Sequence, residues 1–180
     1  MWTSRCRSLW TTVVLCSALA ALAPSAGAQE RHKFTESNAA ADTKYTQQHV
    51  IDVGDVPGHQ VRIYELRFTW PQNAPAYEGV RAVEGWARGQ SEYTNGNGRS
   101  WGYYMDVMEN GDRIFSRYDG TAQSAANPDG SIRRTYHGVR IITGGTGKFR
   151  AIRGVVRNSV VFDPASGFNE GKGEGEYWIE

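Results

Sequence analysis

From Lys44 onward the chain sets β-branched and aromatic residues in short runs, broken by clusters of Gly, Asn, Asp and Pro. No stretch keeps a helical period. The runs fall at residues 45–53, 59–70, 79–88, 101–109, 113–121, 132–143, 152–162 and 171–179. Between them lie turn signals: Gly54-Asp55-Val56-Pro57-Gly58, the Pro-containing loop from Pro71, the polar glycine-rich stretch 91–100, Asn127-Pro128-Asp129-Gly130 and Asp163-Pro164. Asn110-Gly111 is the strongest short hairpin signal. Without a helix to cross over between parallel neighbours, the strands must run antiparallel, up and down. Eight such strands leave two bare edges unless the sheet curls shut, and eight is the number that just encloses side chains or one small ligand. The prediction is an all-β fold, an eight-stranded antiparallel up-and-down β-barrel over 44–180, with a two-sheet sandwich as the alternative. Glycines inside runs, such as Gly85, Gly102, Gly138 and Gly154, fit strands that bend sharply.

The residues before Lys44 read differently. Arg5 and Arg7 precede an apolar run, 9–23, and Ala26-Gly27-Ala28 offers the small-x-small pattern of a cleavage site, so residues 1–28 are predicted to be a secretory signal peptide. The run is short for a membrane span, and nothing later approaches that length. Residues 29–43 are polar and small apart from Phe34 and are predicted to be a flexible lead-in. Cleavage removes two arginines and no acidic residue, leaving 18 basic and 19 acidic side chains and a net charge of −1. That balance gives no pull onto nucleic acid. Cys6 and Cys16 also leave, which excludes disulfides, thiolate catalysis and cysteine-bound metal in the mature chain. The expected compartment is the periplasm or the cell exterior, with no membrane span after cleavage.

Motifs for catalysis fail on context. Gly144-Gly145-Thr146-Gly147-Lys148-Phe149 has Ile142 where a phosphate loop needs its first glycine and Phe149 where it needs Ser or Thr. It reads as a tight turn using positive φ at glycine. Gly98-Arg99-Ser100-Trp101-Gly102 matches the nucleophile-elbow letters without the strand before it and the helix after it. His32, His49, His59 and His137 are scattered, so no metal site and no cofactor is predicted. Polar residues that share faces with apolar ones carry more information. Val61, Ile63, Glu65 and Arg67 share one parity, as do Val80, Ala82, Glu84, Trp86 and Arg88. Trp101, Tyr103, Met105 and Val107 oppose Gly102, Tyr104, Asp106 and Met108, and Ile132, Arg134, Tyr136 and Arg140 line up. Parity alone does not say which face is inside.

The segment from Ile142 through the glycine turn to Arg150-Ala151-Ile152-Arg153-Gly154 resembles the late-barrel signature of the allene oxide cyclase-like and dirigent-like barrels. The resemblance is specific over about a dozen residues and architectural over the rest of 44–180. It implies an eight-stranded barrel, often dimeric or trimeric, that takes a small apolar or aromatic molecule in one mouth. It also implies cofactor-free isomerisation or cyclisation in some members and guidance of radical coupling in others. Glu65 is the nearest counterpart of the plant cyclases' early-strand glutamate, whereas the dirigent histidine–aspartate pair is absent at Tyr64-Glu65-Leu66.

These readings predict a secreted barrel that binds a small hydrophobic molecule in its lumen, with cofactor-independent isomerisation or cyclisation as the enzymatic version. In that version Glu65 or Asp106 acts as acid/base, and Arg134 with Tyr136 holds a substrate oxygen. Trp86, Trp101, Tyr103 and Tyr177 wall the ligand site, and self-association as a homodimer or homotrimer is expected. The alternative is a non-catalytic periplasmic carrier or envelope interaction module.

Overall fold

The computed structural model describes residues 29–163 and 168–180. The segment predicted as a signal peptide lies outside them. The chain forms β1 (His32–Asn38), β2 (Thr43–Asp52), β3 (His59–Thr69), β4 (Ala76–Tyr77), β5 (Val80–Thr94), β6 (Asn97–Met108), β7 (Arg113–Ala126), β8 (Ile132–Gly145), β9 (Ile152–Asp163) and β10 (Phe168–Ile179). They make one antiparallel sheet in the order β1-β10-β9-β8-β7-β6-β5-β3-β2, with the two-residue β4 on β5. The fold is all-β, as expected.

Two features depart from the expected eight-stranded closure. The sheet has ten strands, and its edges β1 and β2 are not hydrogen-bonded to each other. The last strand pairs not with 45–53 but with β1, in unbroken register from His32↔Tyr177 to Asn38↔Gly171. The segment expected to be a flexible lead-in therefore contains an edge strand. Its composition misleads because two inward residues do most of the anchoring. Phe34 packs edge-on to Tyr77 with ring centroids 5.0 Å apart, and the carboxylate of Glu36 is buried against Arg140.

A single 3-10 turn, Ala40–Asp42, leads from β1 at one edge to β2 at the other. Inward side chains from most strands converge on a shared interior, so the sheet curls strongly. One end of that interior is an apolar plug of Trp70, Tyr77, Met108, Ile114, Ile142, Phe149, Ile152, Val156 and Tyr177. The glycine turn builds it. Gly147 has φ +50, a conformation in which a Cβ would strike the Asp112 carboxylate. That carboxylate accepts from the Thr146 hydroxyl at 3.1 Å, and the turn swings Phe149 into full burial. The motif is thus a structural staple, as its failed phosphate-loop pattern suggested.

The polar stretch 91–100 predicts a loop between β5 and β6. It is instead continuous ladder up to a two-residue turn at Asn95-Gly96, with φ +52 and +79 at these positions. Ser91 and Ser100 point inward and are buried, so the interior itself is polar at this level. Inward glycines seat tyrosine rings there. A Cβ on Gly102 would meet the Arg88 carbonyl, and would lie 2.8 Å from the Tyr118 hydroxyl. Gly102→Ala is therefore expected to cost about 1–3 kcal/mol by overpacking, read as a lower urea midpoint with an unchanged m-value.

Candidate functional site

Above the apolar plug the interior holds an ionic layer, then a tyrosine layer, then a basic mouth. A cavity of about 120 Å³ lies within these layers and is lined from nine strands, β1 to β3 and β5 to β10. The ionic layer centres on Arg140 of β8, whose side chain is 3% exposed. Its Nη2 donates to Glu36 Oε2 at 2.7 Å, and the guanidinium lies 4.2 Å from the Tyr104 ring centroid. Asn158 Nδ2 donates to the other Glu36 oxygen at 3.3 Å. Burial alone would weaken the Arg140 cation, but Glu36 foremost holds its pKa well above the ordinary arginine value.

Asp106 of β6 is buried beside this pair, and among the described residues neither carboxylate oxygen has a hydrogen-bond partner. Desolvation pushes its pKa up to about 7, with Glu36 adding repulsion and Arg140 opposing the rise. It does not line the cavity; Tyr104 and Arg140 do.

The tyrosine layer is hydrogen-bonded internally. The Tyr64 hydroxyl lies 2.6 Å from Ser100 Oγ and 2.8 Å from the Tyr118 hydroxyl. Burial raises the pKa of Tyr64, Tyr104, Tyr118 and Tyr136, and pushes that of Tyr93 up to about 12. The phenols stay neutral and serve as hydrogen-bond donors and acceptors rather than bases. Toward the mouth, the Arg62 guanidinium lies 4.9 Å from the Tyr64 ring centroid and 5.3 Å from that of Tyr45. Its hydrogen bonds go to Ser91 and Gln48, both neutral.

The residues singled out from sequence divide by face. Tyr136 lines the cavity and Asp106 sits beneath it. Tyr177 is inward but belongs to the plug, where its hydroxyl accepts from the Glu78 N–H at 3.0 Å. Arg134 stands near Gly96 and Ser124, away from the cavity lining. Glu65, Trp86, Trp101 and Tyr103 lie on the outer face, a correction to their expected roles in the lumen. The inward parity of β3 is Arg62, Tyr64, Leu66 and Phe68, which buries more aromatic area than Val61 and Ile63 would. Glu65 accepts from the Thr46 hydroxyl and from Arg88 Nε, both at 2.6 Å. These bonds, Thr46 first, hold its carboxyl below the usual range, so it is an ordinary surface anion. Trp86 lies against the Arg67 and Arg88 guanidinium groups and donates its indole N–H to Glu84. Trp101 and Tyr103 border an outer groove of about 880 Å³ with Ile63, Val139 and Ile141.

Glu36, Arg62, Tyr64 and Tyr118 are functional candidates that the sequence reading did not select. Arg140 was visible as the continuation of the Arg134–Tyr136 parity. Among the described residues no group of three His, Cys, Asp or Glu side chains is placed to hold a metal, and no helix is long and apolar enough to cross a membrane. No family model, curated protein or solved structure matches the chain.

Proposed function

We propose that the chain is a small-molecule-binding protein whose ligand sits inside the curled sheet, in a secreted barrel of the kind its glycine-turn signature resembles. The observation that carries this reading is a cavity walled by side chains of nine strands, with neutral tyrosines and apolar Leu66, Phe68, Val160 and Phe162 around a buried guanidinium. The 3-10 link between the edge strands supports barrel-like closure at one end. Binding without turnover is favoured over isomerisation or cyclisation. The cavity's own carboxylate, Glu36, is neutralised by Arg140, and Asp106 lies behind the lining. A general acid or base must reach its substrate within hydrogen-bond distance.

Native mass spectrometry of the protein purified from its own host tests this. A retained small molecule is expected, released by organic extraction, and lost in Ala87→Phe, which fills the lumen with a ring. Equal retention in that variant would put the ligand elsewhere and end the reading. The same spectrum reports whether the chain self-associates, for which the outer groove beside Trp101 and Tyr103 is the surface to examine.

A further inference from the structure

We infer that the cavity floor is an oxyanion seat, and that the ligand is a single-ring or short-chain organic acid bound with its carboxylate on Arg140. This deepens the proposed function and rests on it. The guanidinium spends only Nη2 on Glu36. Its Nε and Nη1 are buried and have no hydrogen-bond partner among the described residues, and neither has Nδ2 of Asn38, which lines the same cavity. Unmade bonds at a buried cation are costly, and an anionic oxygen satisfies them with the strongest class of hydrogen bond. Charge points the same way. Arg62, Arg140 and Lys172 line the cavity against a single carboxylate, Glu36. Size limits the rest of the ligand. A cavity of about 120 Å³ is slightly smaller than the roughly 150 Å³ that holds a benzene ring. The enclosed space therefore takes part of a single-ring acid, the rest of the ligand reaching toward the open mouth, and a long polyene does not fit.

The geometry also makes Glu36 a competitor for the same guanidinium. Replacing it with glutamine keeps an oxygen on Nη2 and removes the rival charge from the lining, leaving the ligand carboxylate as the counter-ion on the cavity side, with Asp106 behind it. The test is calorimetric titration at pH 6 with cinnamate and, as its uncharged counterpart of equal length, cinnamyl alcohol. Wild-type protein is expected to bind cinnamate roughly tenfold more tightly than the alcohol, the difference one added charge-assisted bond supplies. Glu36→Gln is expected to widen that gap by a further factor of roughly ten. The double variant Glu36→Gln/Arg140→Gln, which removes both charges and buries neither unpaired, is expected to abolish the preference. Cinnamate and alcohol binding equally, or a preference that survives the double variant, would overturn the oxyanion seat while leaving lumen binding intact. If neither probe binds and Ala87→Phe leaves ligand retention unchanged, the lumen reading falls and this inference with it.

Discussion

Asp106→Asn is expected to make the protein markedly more stable at pH 8 than the parent chain, and to leave the two nearly equal at pH 4. In the folded protein the carboxyl is buried without hydrogen-bond partners, and its pKa rises from 3.8 to about 7. The native state therefore keeps a proton that the unfolded chain gives up above pH 4. Where the native state binds more protons, stability falls as pH rises, so the loss accumulates between those two values and is complete above pH 7. A rise of this size corresponds to roughly 4 kcal/mol. Asparagine has the same shape and no charge to desolvate, so it escapes the loss. Urea denaturation of both proteins at pH 4, 6 and 8 separates this effect from all other titrations, which the two share. Parallel pH profiles would mean that Asp106 ionises in the folded state as readily as in water.

The strand pattern could be read because turn chemistry is local. Asn110-Gly111 and the glycine turn before Phe149 mark their bends by residue type alone, and Gly111 and Gly147 both have positive φ. Edge pairing is not local. Nothing in the polar composition of residues 29–43 reveals that Phe34 and Glu36 meet partners more than a hundred positions away, at Tyr177 and Arg140. The inward parity was hidden for a related reason. An interior that holds Ser91, Ser100, Asp106, Arg140 and several phenols is nearly as polar by residue type as the outer face, where Ile63 and Tyr103 are largely exposed. Alternation then gives the period of a strand without saying which side is inside. The same symmetry puts Glu65, Trp86, Trp101 and Tyr103 among the site residues although they face outward, and on β6 it leaves both parities in the expected site, of which Tyr104, Asp106 and Met108 are the buried one.

The layers also explain why the polar interior does not unfold the sheet. The plug below it is a buried cluster of aromatic and aliphatic side chains, so the ionic layer is fixed from beneath. The inward glycines hold the tyrosine rings flat against the wall, as Tyr136 lies over Gly120 and Gly138. Space remains between those rings, and binding sites need that combination of rigid lining and unspent hydrogen-bonding capacity.

Arg140→Met should be the most damaging single substitution in the interior. It strands the Glu36 carboxylate inside the protein with Asn158 Nδ2 as its remaining donor, a situation that typically costs about 3–5 kcal/mol. Glu36→Met should cost less at pH 8, although it breaks the same ion pair. Asp106, with a pKa of about 7, is already largely ionised at pH 8 and feels the Arg140 cation, so it stands as the replacement counter-charge when Glu36 is removed. No second cation stands ready for Glu36 when Arg140 is lost. The double variant Glu36→Met/Arg140→Met leaves neither charge behind, and apolar replacements of buried ion pairs are commonly neutral or stabilising. A double-mutant cycle by urea denaturation at pH 8 should then show a coupling of several kcal/mol, with Arg140→Met the weakest protein of the four. Equal losses in the two single variants would mean that Asp106 does not respond to the pair, and the charge layer would have to be treated as two independent sites.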